Sequence, residues 1–219
     1  MRIHSEASAQ GFNARPTSIL GSVPRELAPL GLQGPLIGAD QGCGKLRNLP
    51  LILPLVSRLW LVDTPQQLAA TLLVKGVPKP LAEVAALASA RSGKKIRLMP
   101  APEFERSDLS LDLIFSVCVV DVLPPAERAR LLRAAARNLR PGGLLILAAM
   151  RNHPSIMARC TNANKYADGN VFFHHGVWTF FRNYRDAAPL IRQMRKLNLE
   201  TVRDLSSWRY VFLLARRLR

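Results

Sequence analysis

Acidic residues are scarce in this chain. Asp and Glu number 15 against 31 Lys and Arg, which leaves a net charge of +16. That imbalance favours a polyanionic partner, such as RNA, DNA or a phosphorylated substrate. A solvated Arg-rich surface is the competing origin of the same charge. Cysteine is also sparse. Cys43, Cys118 and Cys160 are odd in number and widely spaced. That excludes a disulfide framework and a paired-cysteine metal motif, so no metal is expected, and a reducing, cytoplasmic compartment fits. Long apolar runs are missing, because no stretch reaches the ~18 residues that span a bilayer. A membrane-embedded chain is therefore not expected. Residues 1–15 carry Arg2, Arg15 and the single acid Glu6 without a secretory apolar core, and they are expected to be loose. Repeats and low-complexity tracts are absent. What remains is a chain of 219 residues, 48% hydrophobic, enough for one domain over 16–219 with a sizeable core. Nothing in the sequence specifies an oligomeric state.

Apolar runs of strand length alternate with helix-like segments. Strands are expected at 36–39, 58–62, 95–99, 112–118 and 144–150. Helices are expected at 46–56, 65–75, 80–91 and 125–139, after a proline-cut lead-in over 16–34. The 125–139 helix has the clearest signature. Pro124 and Pro125 open it, Ala129, Leu132, Ala136 and Leu139 form one stripe, and Pro141-Gly142-Gly143 ends it. Strands apolar on both faces and separated by helices imply an α/β, doubly wound, mostly parallel sheet. A helix over 186–197 and two short strands, 199–207 and 208–216, close the chain. Their tight link makes them antiparallel.

The stretch 36-LIGADQGCGKLRNL-49 carries an acid, Asp40, followed by Gly42 and Gly44. A second run, 58-RLWLVDT-64, ends on Asp63, 19 residues after Gly44. A glycine turn lets a ligand approach the backbone, and an acid ending the second strand accepts hydrogen bonds from ribose hydroxyls. The pattern is shaped for a nucleoside. A pyrophosphate would want a third glycine and a clean helix N-terminus. Leu46 stands at that third position, and Asp40 would repel a phosphate but favour a cation. S-adenosylmethionine, with an ammonium, a sulfonium and no phosphate, suits these residues better than a nicotinamide dinucleotide.

ADQGCGKL resembles the first motif of the class I S-adenosylmethionine-dependent methyltransferases, and LWLVDT resembles their second. LDLIFSVCVVDVLPPAERARLLRAAARNLRPGGLLIL is similar to their fourth-strand, helix and fifth-strand block. The resemblance covers residues 30–150 well and 186–216 loosely. It implies a Rossmann-like, seven-stranded sheet with an antiparallel last strand pair, and methyl transfer from S-adenosyl-L-methionine. By the same resemblance Asp40, Gly42, Cys43 and Gly44 line the methionine end of the cofactor. Asp63 and Thr64 hold the ribose, Ala101, Pro102 and Glu103 meet the adenine, and Ser116 and Val117 border the methyl. A non-catalytic binding protein on the same fold is the alternative to an enzyme.

The segment 151–185 is long, aromatic and rich in histidine, and connections of that length usually carry function. It reads as a lid or substrate-recognition insertion, with a hairpin over 171–181 turning at His175-Gly176. His153, just past the fifth strand, is the candidate base. His175, Trp178 and Tyr166 are the candidate substrate contacts. The chain lacks the Asn-Pro-Pro-aromatic motif of amino-methylating nucleic-acid enzymes, and no proline precedes Cys118 as in the cytosine-5 enzymes. A small-molecule acceptor is therefore favoured, with nucleic acid second on charge. Arg128, Arg130, Arg133, Arg137 and Arg140 read as one basic helix surface, joined late in the chain by Arg182, Arg185, Arg192, Arg195 and Lys196.

Overall fold

The computed structural model describes residues 17–151, 164–174 and 177–219. Seven strands form the main sheet: β1 (Leu36–Gln41), β2 (Val56–Asp63), β5 (Lys95–Pro100), β6 (Leu111–Val117), β7 (Leu139–Met150), β11 (Leu199–Asp204) and β12 (Tyr210–Arg217). Their order across the sheet is β11-β12-β7-β6-β1-β2-β5. All neighbours from β7 to β5 are parallel, whereas β12 runs antiparallel to both β7 and β11. The expected doubly wound sheet with an antiparallel last pair is the observed one.

Alternation divides the core into two layers. Leu59, Leu61, Leu113, Phe115, Leu144 and Ile146 pack on one face, while Trp60, Val62, Ile114, Leu145 and Leu147 pack on the other. The first face is covered by short helices α1 (Thr17–Leu20), α2 (Val23–Leu27) and α3 (Leu49–Ile52), and by α5 (Leu81–Ser92). The second is covered by α6 (Ala101–Phe104), α7 (Pro125–Asn138) and α8 (Ala188–Arg195). Both faces of the central strands are dry, so cutting one core Leu to Ala costs about 2–5 kcal/mol.

Two expected helices are not formed as drawn. The 46–56 helix is reduced to α3 and a 3-10 turn at Leu53–Leu55. Pro50 and Pro54 each fit only the start of a turn, and Leu46 sits at φ 59, outside helical space. The 65–75 helix stops after one turn, α4 (Pro65–Leu68), which Thr64 caps by accepting the Gln67 N–H at 3.2 Å. The chain then turns back on itself as an antiparallel hairpin, β3 (Thr71–Val74) and β4 (Val77–Pro80). Lys75 (φ 51) and Gly76 (φ 81) make its two-residue turn, the positive-φ pair that matches strand twist.

A third, separate sheet has the order β10-β9-β8, built from β8 (Asn164–Tyr166), β9 (Gly169–His174) and β10 (Val177–Phe181). The expected hairpin is its β9–β10 pair, and β8 is an addition that the sequence pattern does not announce. Phe172 and Phe181 attach this sheet to Val122 and Met150 in a small apolar cluster of their own.

Candidate functional site

The strand order reverses at β1, with β2 and β5 on one side and β6 and β7 on the other. That reversal opens a crevice at the carboxyl ends of the strands, where open α/β sheets bind ligands. A cavity of about 430 Å³ lies there. Gly42, Gly44, Asp63, Thr64, Ala101 and Pro102 are among the residues that line it.

The glycine turn is held from below by β2. The Gly42 and Cys43 N–H groups both donate to the Val62 carbonyl, at 2.8 and 3.1 Å. Asp63 fastens its far side. Oδ2 accepts the Gly44 N–H and Oδ1 accepts the Thr64 N–H, both at 2.8 Å. The Gln67 amide adds a bond to the Gly44 carbonyl at 3.0 Å. The Gly44-to-Asp63 spacing is therefore a direct contact, and one carboxylate both shapes the turn and faces the cavity.

The two glycines serve different ends. Gly42 (φ +83) admits the loop after β6, because a Cβ there would stand 2.4 Å from Val119 Cγ2. Gly44 (φ +49) has nothing nearer than the Gly42 carbonyl at 3.9 Å, so its bare surface is open to the cavity. Leu46, at the third motif position, takes a left-handed φ of 59 that a glycine adopts without strain. Its buried side chain packs in the core instead. The short α3 that follows offers no extended helix N-terminus for a pyrophosphate. The residues thus fit a nucleoside carrying a cation better than a dinucleotide.

Asp40 does not line the cavity. It is fully buried beneath the turn. Burial and, next, the nearby charge of Asp63 push its carboxyl up to about 7, while the neighbouring Asn48 side chain pulls the other way. Cys43, Ser116 and Val117 are likewise buried behind the wall rather than in it. Burial, then Asp40 and Asp63, push the Cys43 thiol up, so it stays protonated.

Glu103 requires a correction. Residues 101, 102 and 105 share the cavity-facing side of α6 and its end, and Glu103 projects to solvent. The acid of this segment that lines the cavity is Glu105. The 100–110 segment is irregular in sequence, yet Pro100 and Pro102 start a helical turn, and the turn carries residue 105 back to the cavity.

A further part of the wall comes from residues to which the sequence assigned no cofactor contact. Cys118, Val119, Val122 and Leu123 follow β6, while Glu127, Arg130 and Leu131 come from α7. Cys118 adopts φ 57, and burial followed by Asp121 pushes its thiol up. Asp121 is fully buried. Its Oδ2 accepts the Met150 N–H at 3.1 Å, Oδ1 has no partner, and burial lifts the carboxyl to about 7. An acid set among apolar residues just past the strand end is its only signal in sequence.

The segment after β7 is placed in part. His153 and His175 lie outside the described residues. Tyr166 is exposed on β8, edge-on to Phe180, and Trp178 packs edge-on to Phe173. Neither lines the cavity. The sheet is tied to the core by charge instead. Asp168, in the β8–β9 turn, pairs with both Arg128 and Arg182. Arg128, expected on the basic surface, is completely buried. Arg140 stays solvent-accessible but pairs with Asp112 at 2.6 Å.

A family model described as a methyltransferase domain matches residues 39–147, from β1 through β7. None of the curated proteins compared matches the chain in sequence. Solved structures share its fold at low identity. A methyltransferase from Clostridium acetobutylicum, described as S-adenosylmethionine-dependent, is 12% identical with a TM-score of 0.67, covering 94% of each chain. Magnesium protoporphyrin IX methyltransferase from Synechocystis, solved with S-adenosylhomocysteine, is 15% identical with a TM-score of 0.61, over 91% of this chain and 82% of that one. The 1,6-didemethyltoxoflavin-N1-methyltransferase of Burkholderia thailandensis, solved with 1,6-didemethyltoxoflavin and S-adenosylhomocysteine, is 18% identical with a TM-score of 0.58, over 91% and 78%. With the domain match spanning the strands that build the crevice, the chain belongs to the class I methyltransferases and is an enzyme that takes its methyl group from S-adenosylmethionine.

Proposed function

We propose that the crevice holds the cofactor with its ribose on Asp63, its methionine end over Gly42 and Gly44, and its adenine between Ala101, Pro102 and Glu105. The acceptor is a small molecule that enters past Cys118, Val122 and Leu123. One observation carries this reading: the Asp63 carboxylate faces the cavity while its own backbone bonds fix the glycine turn. A carboxylate offers about four acceptor positions, so two backbone bonds leave capacity for ribose hydroxyls. Two neighbours carry names that specify small acceptors, a toxoflavin precursor and a magnesium porphyrin. The apolar wall at the β6 end suits a similar class of molecule.

The bound cofactor supplies an electrophilic methyl on a sulfonium. This chain's residues supply position and exclusion of water. The buried Asp40 carboxyl, poised near neutrality, gives the methionine end a negative neighbour when ionised. Cys118 is held protonated and borders the methyl side as an uncharged wall. His153 stands as the base in this proposal. Arg151, whose N–H donates to the Arg209 carbonyl at 2.7 Å, follows directly on β7, and His153 is two residues further along the sequence, outside the described residues. Tyr166 and Trp178 belong to the small sheet, which we propose as the lid over that edge, and His175, outside the described residues, stays a substrate contact in this proposal.

Screening planar heteroaromatic acceptors with radiolabelled S-adenosylmethionine tests the acceptor class. Transfer to one of them, lost in Val122→Trp with cofactor affinity retained, is the expected result. Label appearing only in co-purified nucleic acid would overturn it.

A further inference from the structure

The outward side of α7 and α8 is a second surface with a chemistry of its own. Both helices pack on the same face of the sheet, through Leu132 and Ala135 from one and Leu190 and Met194 from the other. Their solvent sides are basic. Arg130, Arg133 and Arg137 are exposed on α7, spaced to form one stripe. Arg192, Arg195 and Lys196 are exposed at the end of α8 and just beyond it, again on one stripe. The only acid within either helix is Glu127, in the first turn of α7. None of these six cations forms a salt bridge among the described residues.

Structural need does not account for such a concentration. Arginines with a packing role in this part of the fold are paired, as Arg128 and Arg182 are with Asp168. The six outward cations repel one another, although Arg137 also donates to the Glu105 carbonyl at 2.8 Å. No large apolar side chain is exposed on either helix. A membrane surface is therefore a poor match, since basic membrane-binding helices also insert apolar residues. Arginine forks spaced along a helix suit the repeated oxyanions of a phosphodiester chain.

We infer that the outward face of α7 and α8 docks the phosphate backbone of a nucleic acid. The contact reads charge and not sequence, because neither helix exposes an aromatic side chain on which a base could stack. Apart from Arg130, which also lines the cavity, its cations are not among the residues that line the cavity with Cys118, Val122 and Leu123, so docking here does not require nucleic acid to be the methyl acceptor. The surface would bring the enzyme to a nucleic-acid-rich assembly or hold it there.

The test is binding of a fluorescein-labelled, 20-nucleotide, mixed-sequence single-stranded RNA, followed by anisotropy across salt. With six phosphate contacts, affinity should fall about 300-fold between 50 and 200 mM salt. The triple variant Arg133→Gln, Arg192→Gln, Arg195→Gln should reduce that fall to about 20-fold. It leaves Arg130, which lines the cofactor cavity, in place. Its affinity for S-adenosylhomocysteine should equal the parent's, which reports the cofactor site independently of the RNA result. A control variant removes three charges from elsewhere, Lys75→Gln, Arg91→Gln and Lys95→Gln, and should retain the parent's salt slope. Equal losses in the control and the triple variant would overturn the inference, since net charge alone would then act. So would a parent that does not bind RNA, or a triple variant that loses binding to phosphatidylglycerol vesicles but keeps its RNA binding.

Discussion

Replacing Asp63 by Asn changes a charge at nearly constant volume. In the parent the two carboxylate oxygens accept the Gly44 and Thr64 N–H groups at 2.8 Å. Ribose hydroxyls donating to the same carboxylate make charge-assisted bonds, each worth about 1.5–3 kcal/mol. An Asn side chain presents one oxygen and one NH2. Whichever way the amide turns, one backbone N–H meets a donor, and the ribose loses its charged acceptor. Loss of about 1.5–3 kcal/mol weakens S-adenosylhomocysteine binding by roughly 10- to 150-fold. Isothermal titration calorimetry at pH 8 reads this directly. A second consequence follows from Asp40. The charge of Asp63 is one of the two causes that raise the Asp40 carboxyl. The Asp63→Asn substitution removes that charge, so the pH at which binding becomes pH-independent should move down. Equal affinity in parent and variant would refute the ribose assignment. Reduced affinity with an unmoved pH profile would refute the coupling between the two acids.

Gly44→Val places a branched side chain in the open cavity, so cofactor binding should fall by about 1–3 kcal/mol while the fold persists with about 1–2 kcal/mol of backbone strain. Gly42→Val should instead lower the thermal midpoint more, because its Cβ meets Val119 at 2.4 Å; calorimetric scans of both variants compare the two. Asp40 and Asp121 both have carboxyls raised to about 7, against the usual 3.8. Between those values the unfolded chain binds fewer protons than the native one, so these two groups lower stability as pH rises from about 4 to 7, and no further above it, by up to about 1.4 kcal/mol per pH unit each. Urea unfolding of Asp121→Asn across that window should show the shallower slope, and a slope equal to the parent's would contradict the account. Cofactor binding near pH 6 should release protons as Asp40 ionises toward the cationic ligand, read as a calorimetric enthalpy that varies with buffer. Asp168→Asn leaves the buried Arg128 guanidinium without its carboxylate, at a cost of about 3–5 kcal/mol, and hydrogen exchange should accelerate first in β8 to β10.

The glycine turn and its two acids are the most legible part of the site in sequence, because their spacing is set by one β-strand, one turn and the next strand. Asp40, Gly42, Gly44 and Asp63 sit on or beside adjacent strands in register, where Asp40 pairs with Leu61 and Gln41 with Val62. Legibility fails where tertiary packing outvotes local pattern. The run from Ala69 to Val77 is apolar enough for a helix, yet the Lys75-Gly76 turn and the prolines of β4 make it a hairpin. Arg128 reads as surface because nothing in a helical stripe announces a buried ion pair with a turn 40 residues away. Glu105 is hidden behind Glu103 in sequence because two residues on a single helical turn reverse the direction of a side chain.

A crystal structure of the enzyme with S-adenosylhomocysteine bound tests the central claim most directly. The account predicts the ligand at the carboxyl ends of β1, β2 and β5, with both ribose hydroxyls within hydrogen-bond distance of Asp63, the amino-acid end against Gly42 and Gly44, and the adenine beside Ala101 and Pro102. A ribose held elsewhere, with Asp63 bonded only to the Gly44 and Thr64 backbone, would contradict it.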